Sequence, residues 1–425
     1  MTRMLRFSGG RISGTVTPPA SKSHTHRAFF LAAMSQKDCV IAGPLISQDT
    51  ESTLGAVAAM GCRIKRGCSN VRISSEGLHA PSGTVNAENS GTTMRLFTGI
   101  ASMFDSPVTV TGDSSLIKRP MGPLLDALAK LGVKCSSDNG RAPVTVCGPN
   151  RGGEVSIRGD VSSQFISALM IVSPMLPNDT VIRIDGTLLS RPYVNVTADM
   201  MERFGADVSV NGSVIRVRGG TGYRRTDITV PSDMSAAAFP LVMGALGGSA
   251  TVMNADLGGK QGDAKIVDIL RDAGASVSAD GDKVTVSKGE LKGTDVNMGD
   301  TPDLFPIVAV LLSTASGKSR LYGAPQLRFK ESDRIGTTVN MLSALGADIT
   351  GTDDGCVIRG VKGLKGGKIE HLEDHRILMS AAAASIVCSG DVAMEGSRCY
   401  DISYPMFLEH AATLGLGVND DVLNG

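Results

Sequence analysis

The sequence predicts an α/β protein made of six similar units, three in each of two domains. Three observations carry that expectation. The chain has 425 residues, more than one core usually serves at roughly 100–200 residues per domain. A signature of apolar residue plus glycine, set between an amphipathic run and a β-like run, recurs six times. A second signature, polar capping residues ahead of a strongly apolar run, recurs with the same period.

The first signature stands at Met60-Gly61, Leu131-Gly132, Phe204-Gly205, Ala273-Gly274, Leu345-Gly346 and Leu414-Gly415, with successive glycines 71, 73, 69, 72 and 69 residues apart. Glycine just past a helix supplies a left-handed stop, and Val208-Ser209-Val210 and Val277-Ser278 behind it alternate with strand period. The second signature stands at Ser21-Lys22, Asn89-Ser90-Gly91, Ser162-Ser163, Ser232-Asp233, Thr301-Pro302-Asp303 and Glu373-Asp374, with starts 68 to 73 apart. Ser, Asn and Asp are favoured helix caps, and Pro302 suits a first turn. The bodies that follow, such as 236–246 and 377–387, are apolar enough to be buried on most sides. Strands alternating with two helices per unit cannot bury their faces alone and must pack on one another. One strand over 5–16 precedes the first capped helix and is expected to belong with the later half. The domains expected are therefore 18–230, and 1–17 with 231–425, with hinges near 17–20 and 227–232.

Composition excludes several classes of function. Lys plus Arg and Asp plus Glu both number 42, so the chain lacks the net positive field of a nucleic-acid or anionic-membrane binder. Aromatic content is 4% with no Trp, which disfavours base-stacking platforms. The longest apolar stretch, 304–315, is well short of the ~18 residues needed to cross a bilayer. The first ten residues carry charges and glycines where a signal peptide would be apolar, so the expected location is cytoplasmic. The eight cysteines are scattered without C-x-x-C and read as buried small hydrophobes. Gly317-Lys318-Ser319 ends like a phosphate loop, but Leu312 occupies the position that needs glycine. His371 and His375 have i,i+4 spacing without a third ligand and read as structural, and His24 and His26 are too close in sequence for one helix face. Neither metal nor cofactor is expected.

Helix N-termini carry unsatisfied N–H groups and about half a positive charge, which suits phosphate and carboxylate. Cations recur at these ends in one register: Lys22 and Arg27 on the first, Arg95 on the second, Arg376 on the sixth. Arg119 stands just before a helix expected at Pro120, and Lys330-Glu331-Ser332-Asp333-Arg334 forms a charged knot in the fifth unit. Equivalent helix ends turned toward one centre would trap a polyanion.

Pro18-Pro19-Ala20-Ser21-Lys22-Ser23 with Arg27, Asn89-Ser90-Gly91-Thr92 with Arg95, Arg119-Pro120, Ser162-Ser163-Gln164-Phe165, Lys330 to Arg334 and Asp374-His375-Arg376 together resemble the 5-enolpyruvylshikimate-3-phosphate (EPSP) synthases, or 3-phosphoshikimate 1-carboxyvinyltransferases. The resemblance spans essentially the whole chain. It implies two similar domains, each of three βαβαββ units in an inside-out α/β barrel, with the active site in the interdomain cleft. It implies transfer of the enolpyruvyl group of phosphoenolpyruvate to the 5-hydroxyl of shikimate 3-phosphate by addition and elimination, releasing phosphate, within aromatic amino acid biosynthesis. By the same resemblance, Lys22, Ser23, Arg27, Ser162, Ser163, Gln164, Ser190, Tyr193, Asp303, Gln326 and Lys330 would hold shikimate 3-phosphate. Lys22, Asn89, Gly91, Arg119, Gln164, Arg334 and Arg376 would hold phosphoenolpyruvate, and Asp303, Glu331 and Lys330 would be catalytic. Gly91 has its own logic, since a side chain there would crowd a backbone that approaches the ligand. Two positions depart from the commonest family pattern. Gln326 stands where Asn is frequent, and Ile402 stands where many members carry Lys, which removes one cation.

The partners implied are two small anionic substrates, with no nucleic acid and no membrane, acting on a monomer. The related UDP-N-acetylglucosamine enolpyruvyl transferases are the nearest rival reading. They typically carry Lys-Asn where Lys22-Ser23 stands and a reactive Cys in the loop that here reads Gly112-Asp113-Ser114-Ser115-Leu116-Ile117-Lys118. A non-catalytic RNA-end-binding repeat protein is the rival from another class, and balanced charge disfavours it.

Overall fold

The computed structural model describes residues 4–420. The chain forms two compact units, a continuous one of Ala20–Pro231 and a split one made of the segment ending at Pro19 together with the segment from Ser232 onward. The expected ranges 1–17 and 231–425 begin and end outside the described residues. Among the described residues each unit carries three four-stranded sheets and six α-helices. In the continuous unit the helices are α1 (Lys22–Met34), α2 (Gln48–Ala59), α3 (Gly91–Ala101), α4 (Gly122–Lys130), α5 (Ser163–Val172) and α6 (Arg191–Arg203). In the split unit they are α7 (Met234–Gly247), α8 (Ile266–Asp272), α9 (Phe305–Leu312), α10 (Arg334–Ala344), α11 (His375–Ala384) and α12 (Phe407–Thr413).

One repeat shows the plan. Val85–Asn86 pairs parallel with Val108–Thr111, which pairs antiparallel with Arg141–Cys147, and Lys134–Asp138 forms the outer hairpin strand. A parallel pair needs a crossover, and α3 supplies it; α4 then leads to the hairpin. The result is βαβαββ with the fourth strand inside the third. Behind the second helix of each repeat sits a glycine, Gly61, Gly132, Gly205, Gly274, Gly346 or Gly415, with φ between +82° and +100°. These are the left-handed stops that the sequence period marks.

The strand expected over 5–16 is two strands, Met4–Ser8 and Ile12–Val16, and they enter different sheets. Met4–Ser8 lies between Val392–Glu395 and Gly417–Asp420 and completes the sixth repeat. Ile12–Val16 pairs parallel with Gly248–Val252 and opens the fourth. Gly9 and Gly10 permit the break, because a Cβ on either would strike a backbone carbonyl, that of Ser385 or of Gly415. In the continuous unit Ile228–Thr229 pairs parallel with Cys39–Ala42, so the last strand of that unit opens its first repeat.

The capped helices are the interior. Every residue of α9 and α11 is buried, as is α7 through Leu246, while strands such as Arg141–Cys147 alternate buried and outward-facing positions. Each unit has its own apolar core. Burial of the cysteines holds for Cys39, Cys62, Cys356 and Cys399, is only partial at Cys135, Cys147 and Cys388, and fails at Cys68, which is exposed in a hairpin turn. No helix among the described residues is long and apolar enough to cross a membrane.

Candidate active site

In the continuous unit the first helix end is built on Ser21, whose hydroxyl caps α1. Lys22, the first helical residue, places Nζ 2.9 Å from Oδ2 of Asp49, which is 6% exposed near the start of α2. Ser23 follows, and its carbonyl accepts from Arg27 Nη1 at 2.9 Å. Arg27 is 1% exposed and also donates to Thr197 Oγ1, Ser167 Oγ and the Tyr193 carbonyl. It is a strut joining α1, α5 and α6 as well as a cation. Burial, with the Arg27 charge, pushes His24 down to about 3, and burial with the Lys22 charge holds His26 well below the usual range. Both rings are therefore neutral, and the positive charge at this helix end belongs to Lys22 and Arg27.

At the second helix end Ser90 caps α3 by accepting from the Thr93 N–H at 3.2 Å. Gly91 is the first helical residue. A Cβ there would lie 3.1 Å from Arg119 Nη1 and 3.5 Å from Arg95 Nη1, so two guanidinium groups converge on this backbone. Arg119 does not directly precede a helix at Pro120, as the sequence suggested; it ends the 3-10 turn Leu116–Lys118, and α4 begins only at Gly122. Its Nη2 donates to Asn89 Oδ1 at 3.1 Å, and Asn89 Nδ2 donates to Asp113 Oδ2 at 2.7 Å. Asp113 in turn accepts from the Ser115 and Leu116 N–H groups, which pins the chain. Arg95 donates to Gln164 Oε1 at 2.6 Å and stacks 5.3 Å from the Phe165 ring centre. Gln164 Nε2 donates to Thr92 Oγ1, so its amide orientation is set at both ends. Ser162 caps α5 and Ser163 begins it; Ser190 precedes α6 with φ +56°, and Tyr193 lies in that helix's first turn. The structure thus joins Asn89, Gly91, Arg119 and Gln164 in one cluster through Arg95.

In the split unit, Asp303 lies in the 3-10 turn Pro302–Leu304 that leads into α9, so the fifth repeat begins with a 3-10 turn where the others begin with a capped α-helix. Its Oδ1 accepts from Arg334 Nη1 at 2.8 Å and lies 3.7 Å from Lys330 Nζ; its Oδ2 accepts from Arg376 Nη2 at 3.2 Å. Arg334 also donates to Glu331 Oε2 and, through Nε, to Asp374 Oδ2 at 3.0 Å. A solvated charge run would leave Arg334 in water, yet it is 1% exposed and Asp374 is fully buried. Asp374 caps α11 and so sets the start of the helix that carries Arg376. Gln326 is buried and donates to the Gly299 carbonyl at 3.1 Å. Ile402 lies in the apolar core of the unit.

The charges set one another. Burial alone would raise the Asp303 carboxyl, but Arg376, Lys330 and Arg334 hold it well below the usual range, so it stays ionised. Burial lowers Lys330, with Asp303 opposing only in part. Burial works against the Arg334 charge, and Asp374, Glu331 and Asp303 overcome it. An ionised carboxylate beside a lysine that yields its proton more readily than usual is suited to proton transfer.

Four acids escape the sequence reading. Asp49 stands in none of the motifs, Asp113 stands only in the loop Gly112 to Lys118, and Asp374 stands as a helix cap and motif residue with no partner indicated. Asp263, accepting from Ser235 Oγ, is pushed up to about 7, first by burial and then by the Asp303 charge. Only the acid-rich first turns hint at the first of these.

The EPSP synthase (3-phosphoshikimate 1-carboxyvinyltransferase) family pattern matches residues 8–411. The 3-phosphoshikimate 1-carboxyvinyltransferase of Methanocorpusculum labreanum is 45% identical over 420 residues, covering 98% of this chain and all of that one. That of Methanothrix thermoacetophila is 42% identical over 98% of this chain and 99% of its own. The solved EPSP synthase of Acinetobacter baumannii superposes with a TM-score of 0.82 at 29% identity, covering 98% of this chain and 100% of that one. The chain belongs to the EPSP synthase family of enolpyruvyl transferases.

Proposed function

We propose that the chain transfers the enolpyruvyl group of phosphoenolpyruvate to the 5-hydroxyl of shikimate 3-phosphate, with Asp303, Lys330 and Glu331 moving the protons and no cofactor. The 5-oxygen attacks carbon 2 of phosphoenolpyruvate while carbon 3 gains a proton. Loss of that proton and of phosphate from the tetrahedral adduct then restores the double bond. Asp303 takes the hydroxyl proton, a role supported by the three cations that keep its carboxylate charged. Glu331 protonates carbon 3 and is oriented by Arg334. Lys330 contacts the bridging oxygen and assists transfer. Lys22, Ser23, Arg27, Ser162, Ser163, Gln164, Ser190, Tyr193 and Gln326 hold shikimate 3-phosphate, joined by Asp303 and Lys330. Lys22, Asn89, Gly91, Arg119, Gln164, Arg334 and Arg376 hold phosphoenolpyruvate, whose phosphate and carboxylate suit paired guanidinium groups. We read the protein as a cytoplasmic monomer that takes neither nucleic acid nor membrane as partner.

The observation that carries this reading is the Asp303 carboxylate shared by Lys330, Arg334 and Arg376, in a chain whose residues 8–411 match the family. Purified protein should release phosphate only when both substrates are present, and Glu331→Gln should lower kcat by roughly 10²–10⁴ with little change in KM. Phosphate release with UDP-N-acetylglucosamine in place of shikimate 3-phosphate, or a Glu331→Gln effect confined to KM, would overturn it.

A further inference from the structure

The substrate reading leaves His371 without a task. Its spacing to His375 suggests a helix-face pair, but His371 lies ahead of α11 and gathers different neighbours. One ligand atom each from His371, Glu373 and Cys399 lie within 4.8 Å of one another. We propose that these three residues form a binding site for a borderline-soft divalent cation of the Zn²⁺ class, separate from the residues assigned to substrate.

The geometry is that of a ligand set one small adjustment from closure. Cys399 Sγ and His371 Nδ1 are 3.9 Å apart. Tetrahedral Zn²⁺ with bonds of about 2.0–2.3 Å sets neighbouring N and S ligands roughly 3.5 Å apart. The imidazole already holds the tautomer that ligation through Nδ1 needs. The Glu373 N–H can only donate, so Nδ1, 3.1 Å away, presents its lone pair, and the proton sits on Nε2, which donates to the Glu395 carbonyl at 3.1 Å. A ligating histidine typically anchors its second nitrogen on a carbonyl in this way. Ligation exchanges the weak bond from the Glu373 N–H for a metal bond.

The backbone adds a second, independent sign. Leu372 and Glu373 are successive non-glycine residues with φ +50° and +56°. Such strain is uncommon and collects where a side chain must be held in place. Glu373 also accepts from Ser397 Oγ, which draws the two segments together. Sulfur and imidazole nitrogen select against Mg²⁺ and Ca²⁺, and a water completes the tetrahedron. On binding, the Cys399 thiol gives its proton to solvent and the sulfur bonds the metal. The bound ion cross-links the turn ahead of α11 to the 3-10 turn Cys399–Ile402.

The test uses the full chain, stripped with chelator and titrated with Co²⁺. One equivalent should bind and give the near-ultraviolet absorption of thiolate-to-cobalt charge transfer, which Zn²⁺ then abolishes. Cys399→Ser should remove the band and His371→Gln should weaken binding at least tenfold, whereas Cys68→Ser, at the exposed thiol, should leave the spectrum unchanged. Glu373→Gln alters an exposed side chain, keeps the fold, and should weaken Co²⁺ several-fold. Absence of the band in the parent chain, its persistence in Cys399→Ser, its loss in Cys68→Ser, or unchanged affinity in both His371→Gln and Glu373→Gln would overturn the site.

Discussion

Asp303 and Asp263 show how one residue type is driven to opposite states by its surroundings. Three cations keep Asp303 ionised, so its contribution to stability is present above 3.8 and is lost as pH falls toward its depressed folded value. Asp263 has the opposite sign. Its folded value of about 7 lies above the ordinary 3.8, so between these the unfolded chain releases a proton that the folded chain keeps, and stability falls as pH rises through that window. Asp263→Asn removes the slope. The variant should match the parent near pH 4 and exceed it near pH 8 by on the order of 1–3 kcal/mol in urea unfolding; equal pH slopes would refute the account. Gly91 is a steric case. Alanine there should leave the fold intact, displace the Arg119 guanidinium by a few tenths of an ångström, and raise KM for phosphoenolpyruvate several-fold with little change in that for shikimate 3-phosphate. Equal changes in both would mean that Arg119 is not the group moved. At this scale the sequence pointed to cations at the helix ends but not to their protein partners. The resemblance makes Arg27 a shikimate 3-phosphate contact, and only the packed helices reveal that four protein acceptors already surround it.

Helix starts are where the sequence was most legible, because a cap is a local bond between neighbours in the chain. Ser21, Ser90, Ser162, Asp233 and Asp374 all accept from a helix N–H two or three residues on. The fifth repeat departs from this pattern, since Pro302 and Pro306 lack N–H donors and a 3-10 turn precedes α9. The caps also differ in what lies behind them. Ser90→Ala removes the cap and one neutral hydrogen bond to Thr93 Oγ1, and should cost about 1–2 kcal/mol. Asp374→Ala also strips a fully buried carboxylate from buried Arg334, and should cost roughly 3–5 kcal/mol. Urea midpoints that fall equally for the two variants would show that Asp374 serves only as a cap.

The order of strands makes an asymmetric demand on the whole molecule. The continuous unit contains every strand of its three sheets, so a fragment of residues 20–231 should fold alone, with cooperative urea unfolding and no phosphate release. A fragment beginning at 232 lacks Met4–Ser8, an interior strand of one sheet, and Ile12–Val16, an edge strand of another, and should fold only when a peptide spanning 1–19 is added. A 232–425 fragment that folds unaided would contradict this topology. By itself the sequence determined the six repeats, five of their helix caps, the glycine stops, and the register of cations on the helix ends, since these follow from bonds and periodicities a few residues long. Only the tertiary structure decided that 4–16 splits into strands of two sheets, that Asp49 and Asp374 pair with Lys22 and Arg334, that Asp113 pins Asn89, and that Cys399 meets His371 and Glu373. Those outcomes join residues from 24 to 415 positions apart, and no local rule of spacing specifies which distant segments close a sheet or share a buried charge.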